Sequence, residues 1–156
     1  GGSIYTPLHP AFRPVILAVM DGQPQPNGQF LSAGDAHTQA MSLPISEIVE
    51  HLLEVLDATT IAVIGGVQET RAVHGWLSGR EPQRPQVLRF ALQLATMIAN
   101  ARDAEVCKAW FHGSNPHLDD RVPMIMLRDL PLANIQRDLL AAARIFAVRI
   151  APSPST

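Results

Sequence analysis

The sequence predicts an all-α fold, and three observations carry that prediction. From Ile45 onward apolar residues recur at helical spacing, first as Ile45, Ile48, Val49, Leu52, Leu53 and Leu56, with Glu47, Glu50 and Glu54 on the other side. The chain is 47% hydrophobic but only 5% aromatic, and the excess is the Ala, Leu, Ile and Val from which small helical units pack. No alternating apolar and polar stretch of comparable length competes as a strand.

Residues 1–44 are expected to form an extended or disordered arm. Pro7, Pro10, Pro14, Pro24 and Pro26 are interspersed there with Gly, Gln, Asn and Ser. The run Val15–Val19 is the exception, five apolar residues expected to pack on the body, on a dimer mate or on a partner. Ile45 opens the first predicted helix, with Ser46 offered as its cap and the early glutamates suited to its positive end. A short second helix covers about Thr60 to Ile64 and stops at Gly65-Gly66. A third begins near Gln68 and ends at Trp76-Leu77-Ser78-Gly79. The longest helix follows, from Pro85 to about Ala101, hydrophobic over more than half its circumference and therefore central or at an oligomer seam. Asp103 starts a helix that closes on Trp110 and Phe111, and Gly113 is expected to take the left-handed cap that stops it. Asn115-Pro116 is a turn dipeptide with Leu118 as an apolar peg, and Pro123 suits the first turn of the next helix. Ala133 to Val148 forms a last helix, and a Pro/Ser tail follows.

Charge is unevenly distributed along the chain. The formal net charge of −2 argues against a protein that coats nucleic acid or membrane with its whole surface. Residues 58–102 nevertheless carry five arginines against Glu69 and Glu81, a surplus of three positive charges, and that block coincides with the second and third helices. The single cysteine, Cys107, excludes an intramolecular disulfide and fits a reducing, cytoplasmic setting. No apolar run approaches the roughly 20 residues of a membrane span.

The segment Thr60–Pro82 resembles the DNA-binding helix-turn-helix of Xre-type regulators, in which a short helix and a glycine turn set a second helix into the major groove. Under that resemblance Val73 and Trp76 hold the recognition helix on the body, and Gly79 caps it. Gln68, Thr70, Arg71 and His74 then face outward as DNA-binding residues. Arg71 suits a guanine or a phosphate, because its fork pairs two acceptors at once. Arg80 and Arg84 lie just past the helix and are placed to track the backbone. Gly75 lies inside the recognition segment at a cost of roughly 1 kcal/mol against Ala. Glu69 stands where phosphates would lie.

The stretch Ala109–Arg128 resembles the toxin-binding domain of Xre/MbcA/ParS-type antitoxins. Its signature is carried by Trp110, Asn115, Pro116, Leu118, Arg121 and Pro123, followed by Met124, Leu127 and Arg128. Together the two motifs divide the chain into the arm (1–44), an Xre-like helix-turn-helix domain with a long connecting helix (45–102), a small helical toxin-binding domain (103–150) and the tail (151–156). The resemblance implies a homodimeric antitoxin that binds a RES-domain, NAD-consuming toxin over its active-site cleft and represses its own operon. It places the toxin contacts on Trp110, Asn115, Pro116, His117, Leu118 and Arg121. Arg144 and Arg149 near the C-terminus are added as candidates to reach carboxylates of the nicotinamide pocket. Two other readings remain open: a stand-alone helix-turn-helix regulator without a toxin, and an interaction scaffold.

His112, His117, Asp119 and Asp120 offer four potential ligands near one turn, yet their pattern fits an exposed polar loop better than a structural zinc site. Cys107 lies on the interior side of its helix, where a cysteine acts as a small hydrophobe. No Gly-rich phosphate loop, Ser/His/Asp arrangement or carboxylate pair on one helix face occurs. The expected protein is not an enzyme and takes neither cofactor nor metal.

Overall fold

In the computed structural model, which describes residues 33–99 and 103–150, the described chain is helical and contains no strand. The helices are α1 (Ala33–Ser42), α2 (Ile45–Val55), α3 (Ala58–Gly65), α4 (Thr70–Leu77), α5 (Pro85–Ala99), α6 (Ala104–His112), α7 (Pro123–Asp129) and α8 (Leu132–Ile150). A 3-10 turn, Pro116–Leu118, separates α6 from α7. The remainder of the predicted arm, the Val15–Val19 run and the Pro/Ser tail lie outside the described residues.

The all-α expectation holds among the described residues, and the fold is organised on α5. Every residue from Phe90 to Ala99 is buried, so this helix is covered around its circumference rather than along one stripe. It packs against α1, α2, α3, α6 and α8, and one cluster of buried side chains runs from Ala36 to Ala143. The segments assigned by motif to a DNA module and a toxin module therefore share their apolar interior.

Helix ends explain most boundaries. Asp57 accepts from the Thr60 N–H at 2.8 Å and starts α3; Asp103 accepts from the Val106 N–H at 3.1 Å and starts α6. Gly66 takes φ +80° to end α3, and Gly79 takes φ +107° just beyond α4. Pro123 opens α7, where its missing N–H leaves no bond unmade.

Four expectations need correction, the first being length: α8, with 19 residues, is longer than α5, with 15. Residues 33–42, assigned to an extended arm, form α1. Ala36 and Ala40 are buried, and Arg89 on α5 donates to the carbonyls of Ala40 (3.1 Å) and Leu43 (2.5 Å) at its C-terminal end. Tertiary docking supplies what the weakly apolar local sequence lacks. Ser46 does not cap α2; Pro44 holds that position, and its carbonyl accepts from the N–H groups of Glu47 and Ile48 at 3.0 Å each. Gly113 is extended (φ −94°, ψ 151°), not left-handed. The left-handed residues of this corner are Asp119 (φ 58°) and Asp120 (φ 63°), whose short polar side chains tolerate that region.

Cys107 is fully buried, its thiol 3.8 Å from the Ala95 carbonyl, and burial pushes its pKa up. It is held as a neutral packing group between α5 and α6. Among the described residues, no helix is long and apolar enough to cross a membrane.

Candidate functional site

Two surfaces gather the residues singled out in the sequence. The first is the outer face of α4. Val73 and Trp76 are buried, and the Trp76 ring packs so closely on Gly65 that a Cβ there would lie 2.5 Å from Cη2. This contact fixes α4 against α3. Gln68, Thr70, Arg71, His74 and Arg80 are left exposed. Val67, Gln68, Glu69, Arg71, Ala72 and Arg80 line an open concavity of about 550 Å³. Arg71 Nη2 donates to Glu69 Oε1 at 2.7 Å.

Arg84 is placed otherwise than its motif position suggests. Its guanidinium turns onto the protein, donating from Nη2 to the Leu127 carbonyl (2.7 Å) and from Nη1 to the Arg128 (3.0 Å) and Ile64 (3.3 Å) carbonyls. Ile64 is in the last turn of α3, and Leu127 and Arg128 are in the last turn of α7, so one cation caps two helix C-termini. Arg84 joins the two motif regions.

The N-terminal end of α3 is tied to α6 in a comparable way. Thr60, fully buried, gives its hydroxyl proton to Asp57 Oδ1 at 2.6 Å. Its Oγ1 lies 2.7 Å from His112 Nε2, which must therefore be the protonated nitrogen that donates. Lys108 Nζ stands 2.9 Å from Asp57 Oδ2. The Thr60 hydroxyl, the Lys108 ammonium and the Thr60 N–H together hold the Asp57 carboxyl well below the usual carboxylate range.

The second surface is built on the Asn-Pro corner. Asn115 organises it: Oδ1 accepts from the His117 N–H (2.9 Å), and its carbonyl accepts from the N–H groups of Leu118 (2.9 Å) and Asp120 (2.8 Å). The Asn115 N–H donates to the Arg121 carbonyl at 3.0 Å, an isolated antiparallel bridge that closes the turn. Arg121 Nε donates to the Leu118 carbonyl at 2.8 Å, while the Leu118 side chain is buried in the core. The tip leaves Pro116, His117, Asp119, Asp120 and Arg121 exposed on a backbone whose polar groups are largely satisfied.

Beside this tip runs an apolar groove of about 450 Å³ between α6 and the C-terminal half of α8. Trp110, Asn115, Pro116 and His117 line it together with Ile145 and Phe146. Trp110 is 5% exposed and meets Phe111 edge-on, with ring centroids 5.2 Å apart. The structure thus brings four of the predicted contact residues to one groove. Leu118 is an internal anchor of the corner, and Arg121 is its clasp. Arg144 is exposed on α8; the side chain of Arg149 lies outside the described residues. Sequence reasoning missed Ile145 and Phe146, although their place on an amphipathic helix was a usable signal.

No family model, curated protein or solved structure matches the chain.

Proposed function

We propose that this chain is the antitoxin of a type II toxin–antitoxin pair. It would neutralise a RES-domain, NAD-consuming toxin by covering the toxin's active-site cleft, and would repress its own operon as a homodimer through the α3–α4 helix-turn-helix. The observation that supports this reading is the joining of Trp110, Asn115, Pro116 and His117 in one apolar groove beside a braced polar turn. The chemistry asked of the protein is steric. A tip whose shape is set by six internal hydrogen bonds loses little conformational freedom on insertion, so more of its contact energy is available for binding. The groove would accept an apolar side chain from the rim of the cleft, and Arg144, exposed on α8, would meet a carboxylate.

Co-expression with a RES-domain protein tests the reading. The wild-type chain is expected to co-purify with it and to preserve cellular NAD, whereas a His117→Glu/Phe146→Asp double variant, still folded, is expected to do neither. Absence of a complex with the wild-type chain would remove the antitoxin reading.

The exposed face of α4 favours a second reading, a helix-turn-helix regulator without a toxin. Operator binding without any effect on toxin would select it.

A further inference from the structure

The recognition helix α4 contains two features that a plain DNA reader does not need: a glycine at position 75 and a carboxylate, Glu69, at its N-terminal edge. The structure gives both a place. After Gly79 the chain reverses, the Arg80 N–H donates to the Gly75 carbonyl at 3.0 Å, and the Arg80 side chain returns across α4. A Cβ on Gly75 would stand 3.3 Å from Arg80 Cδ and 3.9 Å from Cγ, so the missing side chain is what lets the Arg80 stem lie against the helix. Arg80 thereby reaches the same concavity as Arg71, and the third charged group lining that concavity is Glu69.

Glu69 holds Arg71 by a 2.7 Å hydrogen bond, yet the two side chains are 66% and 85% exposed. An ion pair so exposed contributes little to folding. Its geometry matters more for binding. A carboxylate oxygen on a guanidinium imitates a phosphate oxygen on the same group, since arginine forks accept either anion.

We propose that Arg71 and Arg80 form a seat for a DNA backbone phosphate whose Arg71 side Glu69 occupies in the free protein, so that Glu69 acts as an internal competitor setting the affinity of the helix-turn-helix for DNA. This rests on the reading of α3 and α4 as a helix-turn-helix. Binding replaces one anion on Arg71 by another, and the displaced carboxylate returns to water. The device lowers affinity for any duplex alike, because a phosphate contact carries no sequence information. Base contacts from Gln68, Thr70 and His74 then decide where the protein stays.

The test is fluorescence anisotropy of the full chain on a labelled mixed-sequence B-form duplex of about 20 bp, across about 50 to 200 mM salt. Glu69→Gln is expected to tighten binding roughly threefold at the low end with little change in the slope of log K against log salt, because wild type and variant close the same phosphate contact. Arg71→Ala and Arg80→Ala are each expected to weaken binding and to flatten the slope by up to about 0.9, the contribution of one phosphate. All three positions are exposed, so circular dichroism should show unchanged folds. Unchanged or weaker binding by Glu69→Gln, with Arg71→Ala still impaired, would overturn the competitor role while leaving the helix-turn-helix reading intact. No binding by the wild-type chain or any variant, on this duplex or on the DNA upstream of its own gene, would overturn both.

Discussion

Gly65→Ala should destabilise the protein although it replaces the poorer helix former. Gly65 is the last residue of α3 and is buried. An added Cβ would lie 2.5 Å from Trp76 Cη2, 3.1 Å from Cζ3 and 3.5 Å from Cζ2. Ordinary carbon contact needs at least about 3.5 Å, so the ring must retreat by roughly 1 Å. Trp76 is only 4% exposed, with Val73 fully buried on the same face of α4, so retreat disturbs packed neighbours. Overpacking of this kind costs about 1–3 kcal/mol. The gain in helix propensity offsets at most about 1 kcal/mol, and less at a terminal residue. The net expectation is a loss of about 1–2 kcal/mol, read by urea denaturation as a lower midpoint with unchanged slope. Gly113→Ala is the comparison, because Gly113 has an ordinary φ of −94° and a Cβ there would stand 3.4 Å from the Ala109 carbonyl oxygen. It should stay within about 0.5 kcal/mol of wild type. Trp76→Phe should relieve Gly65→Ala in a double-mutant cycle. Equal midpoints for Gly65→Ala and wild type would refute the claim that this contact locks the two helices together.

The other expectations follow from the caps and clasps. Arg84→Lys removes the fork that serves the carbonyls of Ile64, Leu127 and Arg128 and should cost about 1–3 kcal/mol, measured by denaturation, with faster hydrogen exchange at the ends of α3 and α7. Asp57→Ala should lose about 1 kcal/mol at neutral pH through the missing cap of α3. Because the folded Asp57 pKa is depressed, its stabilisation is fully present above the unfolded value near 3.9 and is lost as pH falls through the folded value. The gap between variant and wild type should therefore narrow only in acid, as pH-dependent unfolding would show. Asn115→Ala should cost about 1 kcal/mol and accelerate exchange of the His117 N–H, since the side-chain acceptor of the 3-10 turn is gone.

What the sequence reveals is what short-range chemistry determines. Asp103, Gly66, Gly79 and Pro123 each stand at a helix end because the local backbone demands an acceptor, a left-handed residue or a missing donor there. The heavy burial of α5 is equally legible, since apolar residues cover most of its circumference. What escapes is action at a distance. Helix α1 depends on Arg89, which is 46 residues from Leu43 along the chain, and no local pattern announces that capping. Arg84 looks like a backbone-tracking cation until the fold brings two carbonyl termini to it. Gly113 sits in the right place for a left-handed cap, but the bridge between Asn115 and Arg121 makes the turn later, at Asp119 and Asp120. In the candidate site, Trp110, Asn115 and Pro116 are readable as parts of a motif. Its groove is not, because Ile145 and Phe146 join it from a helix about 30 residues further on.

On the antitoxin reading proposed above, the Asn115–Arg121 turn and its adjoining groove close the NAD cleft of a RES-domain toxin. Titration of the purified chain into such a toxin while NAD consumption is followed tests it most directly. Stoichiometric inhibition by the wild-type chain is expected, lost in His117→Glu/Phe146→Asp but retained in Arg71→Ala, whose position is on the other surface. Undiminished NAD consumption at saturating wild-type chain would contradict it.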